Sequence, residues 1–257
     1  MTFLKAKGCL AVAEQSALAA GAYLRHLPPD RRFVDSAVGK DIKLRADREA
    51  EAIIIKSLTA VADYPLLSEE CGVSGQIDSE EPCWVIDPLD GTMNYARGLE
   101  LACVSIALWQ SNAPLIGVVY DFNHDELFSG LVGVGAWRNG QAIAVSGIHQ
   151  RAQAVLATGF PVGRDYADDA LRLFISQVQA FKKVRMLGTA ALSLAYVACG
   201  RVDAYWEEGI KLWDVGAGLA LVRAAGGWIT CTPAASGGFA RDVRAAADAR
   251  LFLDTPT

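Results

Sequence analysis

The chain has few of the residues that build zinc sites and disulfide frameworks. Its three histidines are isolated, with no His-x-x-x-His pair, and its six cysteines are scattered without a Cys-x-x-Cys pair. Zinc ligation and a disulfide-stapled secreted fold are therefore disfavoured. In a chain of 257 residues, scattered cysteine is typical of buried, reduced thiols, so we expect a cytoplasmic protein.

Two catalytic motifs and a membrane span are also missing. The sequence has no Gly-x-Ser-x-Gly elbow and no Gly-x-x-x-x-Gly-Lys loop, so triad hydrolases and P-loop kinases lack support. The apolar run from Leu10 to Leu24 is too short to span a bilayer and is interrupted by Glu14. Acids and bases are interspersed, with a formal net charge of -5, so we expect neither a nucleic-acid partner nor a membrane partner.

Hydrophobic patterning divides the chain into two halves. Residues 1–150 indicate two helices, about 3–27 and 47–62, joined by a charged loop at 30–43 and followed by mostly antiparallel strands at 64–67, 84–86, 104–108, 116–120 and 127–131, with a hairpin turn at 138–141. Residues 151–257 alternate strands at 155–158, 184–187, 203–206 and 228–230, the last taken as the final strand, with helices at 167–181, 189–200 and 213–225. Because no linker separates the halves, we expect one domain over residues 1–257, an α/β (α+β) layered sandwich.

The stretch Trp84–Arg97 is the most informative in the chain because it places two aspartates three residues apart. Pro88 disfavours the α region for the residue before it, so Asp87 should end a strand in extended backbone. Asp90-Gly91-Thr92 predicts a helix start, whose unpaired amides attract an anion such as phosphate. Carboxylates beside an anion site require hard cations between them, magnesium above all. Taken alone, the stretch could also be a polar turn whose aspartates cap backbone amides.

Two further carboxylates occupy comparable places. Glu69 follows the apolar residues 65–67, so it should lie at the end of a strand. Asp214 opens an apolar helix, where an acid is also favoured by the helix dipole alone. Each acid is ambiguous by itself.

Together these segments resemble the motifs of the inositol monophosphatase family, a group of magnesium-dependent, lithium-sensitive phosphatases. The resemblance is carried by Leu67-Ser68-Glu69-Glu70, Asp87-Pro88-Leu89-Asp90-Gly91-Thr92-Met93-Asn94-Tyr95, Gly188-Thr189-Ala190-Ala191, Asp203-Ala204-Tyr205-Trp206-Glu207 and Trp213-Asp214-Val215-Gly216-Ala217-Gly218. It implies the sugar-phosphatase fold of alternating helix and sheet layers (αβαβα).

The resemblance also implies a set of metal ligands. Glu69, Asp87 and the Leu89 carbonyl look like the ligands of a first Mg²⁺. Asp87, Asp90 and Asp214 look like those of a second, with Asp87 bridging the two. A third ion would be held by Glu69 and water, and Mn²⁺ is a possible substitute for Mg²⁺.

Catalytic roles follow from the same resemblance. Thr92 and Glu69 would orient the attacking water and take its proton, with Asp47 holding the Thr92 hydroxyl. The amides of Gly91 and Thr92 would cradle the phosphate. Leu44 departs from the family pattern, which usually has threonine there. Asp47 therefore keeps an alternative reading as a plain helix cap.

Substrate contacts are implied at one further group of positions. The substrate-binding set is Asp90, Gly91, Thr92, Gly188, Thr189, Ala190, Glu207 and Asp214. Glu207 suits a polyol because a carboxylate accepts two hydrogen bonds from adjacent hydroxyls, although it could also be a solvated strand-end acid. Lys211 and Arg164 are candidates for the pocket rim.

We therefore expect a magnesium-dependent phosphomonoesterase for a small phosphorylated polyol, myo-inositol monophosphate first, in a homodimer. The alternatives within the family are phosphatases of histidinol phosphate, fructose 1,6-bisphosphate or 3′-phosphoadenosine 5′-phosphate. A different class would be a non-catalytic regulator that keeps the fold and binds a protein or RNA.

Overall fold

The structure is a computed structural model that describes residues 2–28, 34–38, 41–76, 80–160 and 166–253. Its helices are α1 (Phe3–His26), α2 (Arg45–Thr59), α3 (Thr92–Ala96), α4 (Asp168–Gln179), α5 (Ala190–Ala198), α6 (Leu212–Ala224) and α7 (Arg250–Leu253). Its strands are β1 (Val34–Val38), β2 (Asp41–Leu44), β3 (Leu66–Ser68), β4 (Gly72–Ser74), β5 (Cys83–Asp90), β6 (Cys103–Gln110), β7 (Ala113–Asp121), β8 (Glu126–Leu131), β9 (Gly135–Arg138), β10 (Gln141–Ile143), β11 (Val155–Thr158), β12 (Lys183–Arg185), β13 (Ala204–Lys211), β14 (Trp228–Pro233) and β15 (Ala240–Ala246). None of the helices in these ranges has the length and apolar character needed to cross a bilayer.

The strands form two large sheets. The first has the order β10-β9-β8-β7-β6-β5-β3-β4, and its neighbours are antiparallel except for the parallel pair β3 and β5. The second has the order β12-β11-β13-β15-β14, in which β11 runs parallel to both β12 and β13. The carboxyl ends of β11 and β13 therefore lie at the same edge of the second sheet.

The helices cover both sheets in alternating layers. Helices α1 and α2 pack on one face of the first sheet. Helices α5 and α6 lie between the two sheets, in a core that joins residues from both halves of the chain. Phe174 of α4 and Phe252 of α7 cover the outer face of the second sheet. The predicted αβαβα layering is confirmed.

The hairpin turn expected at residues 138–141 is confirmed. Asn139 and Gly140 connect β9 to β10 with φ angles of 49° and 76°. A type I′ turn requires positive φ at both central residues, and Asn and Gly tolerate it best.

Two expectations about elements were wrong. The segment 30–43 is not simply a loop, because β1 and β2 pair there; residues 30–33, 39 and 40 lie outside the described residues. The strand beginning at Trp228 is not the last one, since β15 follows it and inserts between β13 and β14. The sequence of β15 is rich in alanine and arginine, so its extended conformation depends on hydrogen-bonded partners on both sides rather than on intrinsic propensity.

Helix α6 lies unusually close to its neighbours. A Cβ atom added to Gly117 of β7 would lie 2.1 Å from the Ala217 carbonyl oxygen and 2.8 Å from the Ala220 Cβ. One added to Gly218 would lie 2.3 Å from the Leu194 Cβ of α5. The small residues on both sides therefore let α6 pack tightly against the sheet and against α5, which holds the start of α6 in place.

We expect Gly117→Ala to destabilise the protein by about 1–3 kcal/mol or more, because the new methyl group collides with α6 backbone. Gly8→Ala is the matched control, since Gly8 is exposed on α1 and a Cβ there meets nothing within 4 Å. That variant should gain roughly 0.5–1 kcal/mol. Urea unfolding measures both; equal stabilities of the two variants would contradict the close approach.

Candidate active site

Strand β5 delivers two aspartates through a bulge. Asp87 pairs with Ser105 and Asp90 pairs with Cys103. Between these two pairs β5 advances by three residues while β6 advances by two, so β5 has one extra residue there. In a regular strand, residues three apart face opposite sides of the sheet. The bulge removes this alternation, and Pro88, which has no backbone N–H to donate to a ladder, falls inside it. The side chains of Asp87 and Asp90 can therefore lie on the same side of the sheet.

The chain turns sharply after these aspartates. Gly91 has a φ of 91°, and a Cβ there would lie 2.7 Å from the Leu101 carbonyl oxygen, so glycine is required. The Thr92 hydroxyl donates to the Leu89 carbonyl at 3.0 Å. The predicted helix does start here, but α3 has five residues, so its dipole is small and an anion would depend on local amide groups.

Glu69 reaches the same region from β3. The parallel register aligns Ser68 with Ile86, and the Glu69 amide donates to the Ile86 carbonyl at 3.2 Å. This places Glu69 beside the residue that follows Ile86 in β5, which is Asp87.

Asp214 arrives from the first turn of α6. Its Oδ2 accepts a hydrogen bond from the Lys211 amide at 3.3 Å, as an acid in the first turn commonly does. Each of Glu69, Asp87 and Asp214 offers a carboxylate oxygen, and these three oxygens lie within 4.8 Å of one another. Among the described residues, these three form the group that could hold a cation. Hard carboxylate oxygens at this spacing fit Mg²⁺ or a similar divalent ion.

Asp90 is anchored to α5. Its Oδ2 accepts from the Thr189 hydroxyl at 2.6 Å and from the Ala191 amide at 2.7 Å. Thr189 also caps α5 by accepting from the Leu192 amide at 3.3 Å. Thr189 therefore binds Asp90 through its hydroxyl in addition to its place in the cavity wall that the sequence suggested.

A cavity of about 210 Å³ adjoins these acids. It is lined by Asp90, Thr158, Gly159, Phe160, Gly188, Thr189, Ala190, Ser193, Glu207, Ile210 and Asp214. Glu207 is buried in its wall, and its Oε2 accepts from the Tyr205 hydroxyl at 2.6 Å. The reading of Glu207 as a solvated strand-end acid is therefore wrong.

Sequence reasoning missed part of this lining. Strand β11 ends at Thr158 and is followed by Gly159 and Phe160. Because β11 lies parallel to β13, these residues lie beside Glu207 at the carboxyl edge of the second sheet. A Cβ on Gly159 would lie 2.7 Å from the Glu207 carboxylate. The signal was available in principle, because ligand crevices form at the carboxyl ends of parallel strands.

Comparison with known proteins decides the family. Residues 6–251 match the sequence model of the inositol monophosphatase family. The chain belongs to that family. Inositol-1-monophosphatase of Synechocystis sp. is 39% identical over 230 residues, which are 87% of this chain and 80% of that protein. Nus factor SuhB of Xylella fastidiosa is 45% identical over 185 residues, 71% of this chain and 66% of that protein.

Solved structures agree with this assignment. The inositol monophosphatase from Anabaena (Nostoc) sp. has a TM-score of 0.80 to this chain, at 37% identity and with 96% of each chain covered. As a member of the inositol monophosphatase family, the protein is a phosphatase, that is, a phosphoric monoester hydrolase.

The other residues singled out in the sequence lie as follows. Asp47 is buried in the first turn of α2, which begins at Arg45, so Asp47 is not the cap of that helix. Gly188 has a φ of 72° and lies beside Asn94, whose amide donates to the Leu187 carbonyl at 2.8 Å. Lys211 precedes α6 and is exposed. Arg164 lies outside the described residues.

The carboxylates of the phosphatase site disfavour one another's negative charge. Burial, followed by the charges of Glu69, Asp90 and Asp214, raises the pKa of Asp87 well above its usual value. Burial and the neighbouring carboxylates raise the pKa of Asp214 in the same way. Burial raises the pKa of Asp90 to about 6, although the hydrogen bonds from Thr189 and Ala191 oppose the shift.

These shifts predict a pH-dependent response to Mg²⁺. Because the pKa of Asp90 is raised in the folded state, the stability linked to its protonated form is present below about pH 4 and is lost as the pH rises through about 6. A cation bound by these acids would neutralise the charge that the lost protons leave. At a hundredfold excess over its Kd, a cation adds about 2.7 kcal/mol, which is roughly 5–10 °C in Tm. We expect this rise at pH 7.5 and a much smaller one at pH 5.

Differential scanning fluorimetry at constant ionic strength measures this response. Asp214→Asn should lose most of the Mg²⁺-dependent rise at pH 7.5, because it removes one of the three converging carboxylates. An equal rise at both pH values, or an unchanged rise in the variant, would speak against a cation site here.

Proposed function

We propose that this phosphatase hydrolyses a small polyol phosphate monoester, first of all myo-inositol monophosphate, with Mg²⁺ as cofactor. The observation that carries the proposal is the convergence of Glu69, Asp87 and Asp214 at the edge of a cavity whose wall contains the buried Glu207. The acids suit divalent cations, and the cavity suits a small hydroxylated group.

The residues that would hold the ions are those implied by the family pattern. Glu69, Asp87 and the Leu89 carbonyl would hold the first Mg²⁺, and Asp87, Asp90 and Asp214 the second, with Glu69 and water contributing to a third. Mn²⁺ would substitute. When bound, such ions neutralise charge on the phosphate and lower the pKa of a bound water.

The chain itself would orient the reactants. Thr92 and Glu69 would position the attacking water, and Glu69 would accept its proton. The Thr92 hydroxyl has one proton, which it donates to the Leu89 carbonyl, so its oxygen remains an acceptor for that water. In the family pattern Asp47 would hold the Thr92 hydroxyl, whereas in this structure that hydroxyl donates to the Leu89 carbonyl.

The polyol would lie between the acids and the second sheet. The Tyr205 hydroxyl orients the Glu207 carboxylate, which would accept hydrogen bonds from ring hydroxyls. The amides of Gly91 and Thr92 would bind phosphate oxygens, and Gly188 and Ala190 would shape the wall. The phosphate end thus lies toward Asp90 and Asp214, which line the same cavity.

We further propose a single domain over residues 1–257 that forms a homodimer in the cytoplasm. All six cysteines are free thiols, as expected in a reducing compartment. Size-exclusion chromatography with light scattering would measure the oligomeric state.

A regulatory role is the second candidate. The relative from Xylella fastidiosa is named Nus factor SuhB rather than a phosphatase, and it is 45% identical over its matched part. A regulatory chain would keep its cellular role without hydrolysis. The acids converging beside the cavity favour the enzyme instead, because carboxylate oxygens within 4.8 Å of one another, one of them on the buried Asp87, are costly unless a cation neutralises them.

We expect Asp87→Asn to lower kcat about a thousandfold or more while the fold is retained, because it removes the charge shared between the two proposed ions. Asp203→Asn is the control, since Asp203 is also buried and accepts from Ser146 and the Val155 amide away from the cavity. Steady-state hydrolysis with Mg²⁺ gives the comparison. Full cellular function in the Asp87 variant would favour the regulatory role.

We expect Glu207→Gln to lower kcat/KM for inositol 1-phosphate about 10- to 100-fold, the loss typical of a hydrogen bond to a charged group. Hydrolysis of p-nitrophenyl phosphate, which has no polyol hydroxyls, should change little. Glu208→Gln, in the next residue and outside the cavity lining, is the control.

A substrate panel decides among the alternatives. It should contain inositol 1-phosphate, histidinol phosphate, fructose 1,6-bisphosphate and 3′-phosphoadenosine 5′-phosphate. Faster hydrolysis of histidinol phosphate than of inositol 1-phosphate would overturn the proposed substrate and leave the phosphatase assignment intact.

A further inference from the structure

Helix α2 carries a buried glutamate that faces the turn after β3. Glu51 is 6% exposed, and one of its oxygens, Oε1, accepts three hydrogen bonds. The donors are the Ser68 hydroxyl, the Glu70 amide at 3.2 Å and the Cys71 amide at 3.1 Å. All three donors belong to residues that surround Glu69 in the chain.

These bonds leave the Glu69 backbone little freedom. Its own amide donates to the Ile86 carbonyl at 3.2 Å, which ties it to β5 on the other side. A second link to α2 runs from Arg48 to the Glu70 carboxylate at 3.6 Å. The residue before Glu69 and the two residues after it are thus all held by α2, while Glu69 directs its own carboxylate toward Asp87 and Asp214.

The electrostatics of the site explain why such anchoring is needed. The charge of Glu69 acts unfavourably on Asp87 and on Asp214. Glu69 sits on a turn rather than inside a strand or helix, so this repulsion would displace it first. Glu51 opposes the displacement from outside the group, since the three converging carboxylates are those of Glu69, Asp87 and Asp214.

We propose that Glu51 is a positioning residue that fixes the turn at Ser68–Cys71 and thereby sets the affinity of the site for divalent cations. This inference rests on the proposed function, because it assigns Glu51 to the ion that Glu69 would hold. Partners that orient metal ligands typically contribute 10- to 100-fold in metal affinity.

The experiment compares Mn²⁺ binding by the full-length wild type, Glu51→Ala and Glu51→Gln, using isothermal titration calorimetry. We expect Glu51→Ala to raise the Kd for Mn²⁺ about 10- to 100-fold. Glu51→Gln keeps an oxygen that accepts amide N–H bonds, so it should raise the Kd only a few-fold. The Mg²⁺ concentration that gives half-maximal hydrolysis should rise in the same order.

Asp203→Ala is the matched control. Asp203 is a buried carboxylate that also accepts a serine hydroxyl and a backbone amide, from Ser146 and Val155, and it precedes β13 at the end away from the cavity. Both alanine variants should have a lower Tm, but Asp203→Ala should bind Mn²⁺ with the wild-type Kd. Ser68→Ala removes one donor and should give a loss of several-fold even if Glu51→Ala does not fold.

Several results would overturn the inference. The first is a wild-type Kd for Mn²⁺ in Glu51→Ala or, if that variant does not fold, in Ser68→Ala. The second is an equal loss of Mn²⁺ affinity in Glu51→Ala and Glu51→Gln, which would indicate a charge effect. The third is the same loss of affinity in Asp203→Ala. A wild-type chain that binds Mn²⁺ but hydrolyses no phosphate would contradict the proposed function alone. A wild-type chain that binds no Mn²⁺ would contradict both.

Discussion

The mutual repulsion of closely spaced carboxylates, one buried and two partly buried, is the constraint on which the rest of the structure depends. Glu69, Asp87 and Asp214 present oxygens within 4.8 Å of one another, and Asp87 is 1% exposed. Charges in such a place are unfavourable unless they are neutralised by protons or by cations. The raised pKa values of Asp87 and Asp214 show that protonation is favoured there, and a divalent cation would neutralise the same charges in place of protons.

Several different parts of the fold hold the acids. A bulge in β5 brings Asp87 and Asp90 to one side of the sheet. Close packing of α6 against β7 and α5 fixes the start of the helix that carries Asp214. The cap of α5 binds Asp90, so the same residues that begin a helix also restrain a carboxylate. The site is therefore formed by residues from both sheets and from the helices between them.

Chemistry and specificity have different structural origins here. The family model, the Synechocystis relative and the Anabaena structure indicate a phosphatase, whereas the Xylella relative is named a Nus factor. The acids come mainly from the first sheet and α6, whereas Glu207 and its neighbours in the cavity come from the second sheet. Substrate choice can therefore vary through the second sheet while the acids stay in place.

The sequence by itself determined the family, the layered fold and most of the element positions, because these depend on hydrophobic period and on compact motifs such as Asp87-Pro88-Leu89-Asp90-Gly91-Thr92. It failed at β15, whose extended form depends on partners on both sides, and it did not reveal that the Thr189 hydroxyl, beside its place in the cavity wall, binds Asp90. Only the tertiary structure decided that Glu51 contacts the turn around Glu69 and that Glu207 is buried. The physical reason is that hydrogen bonds between distant segments leave no periodic trace in the chain.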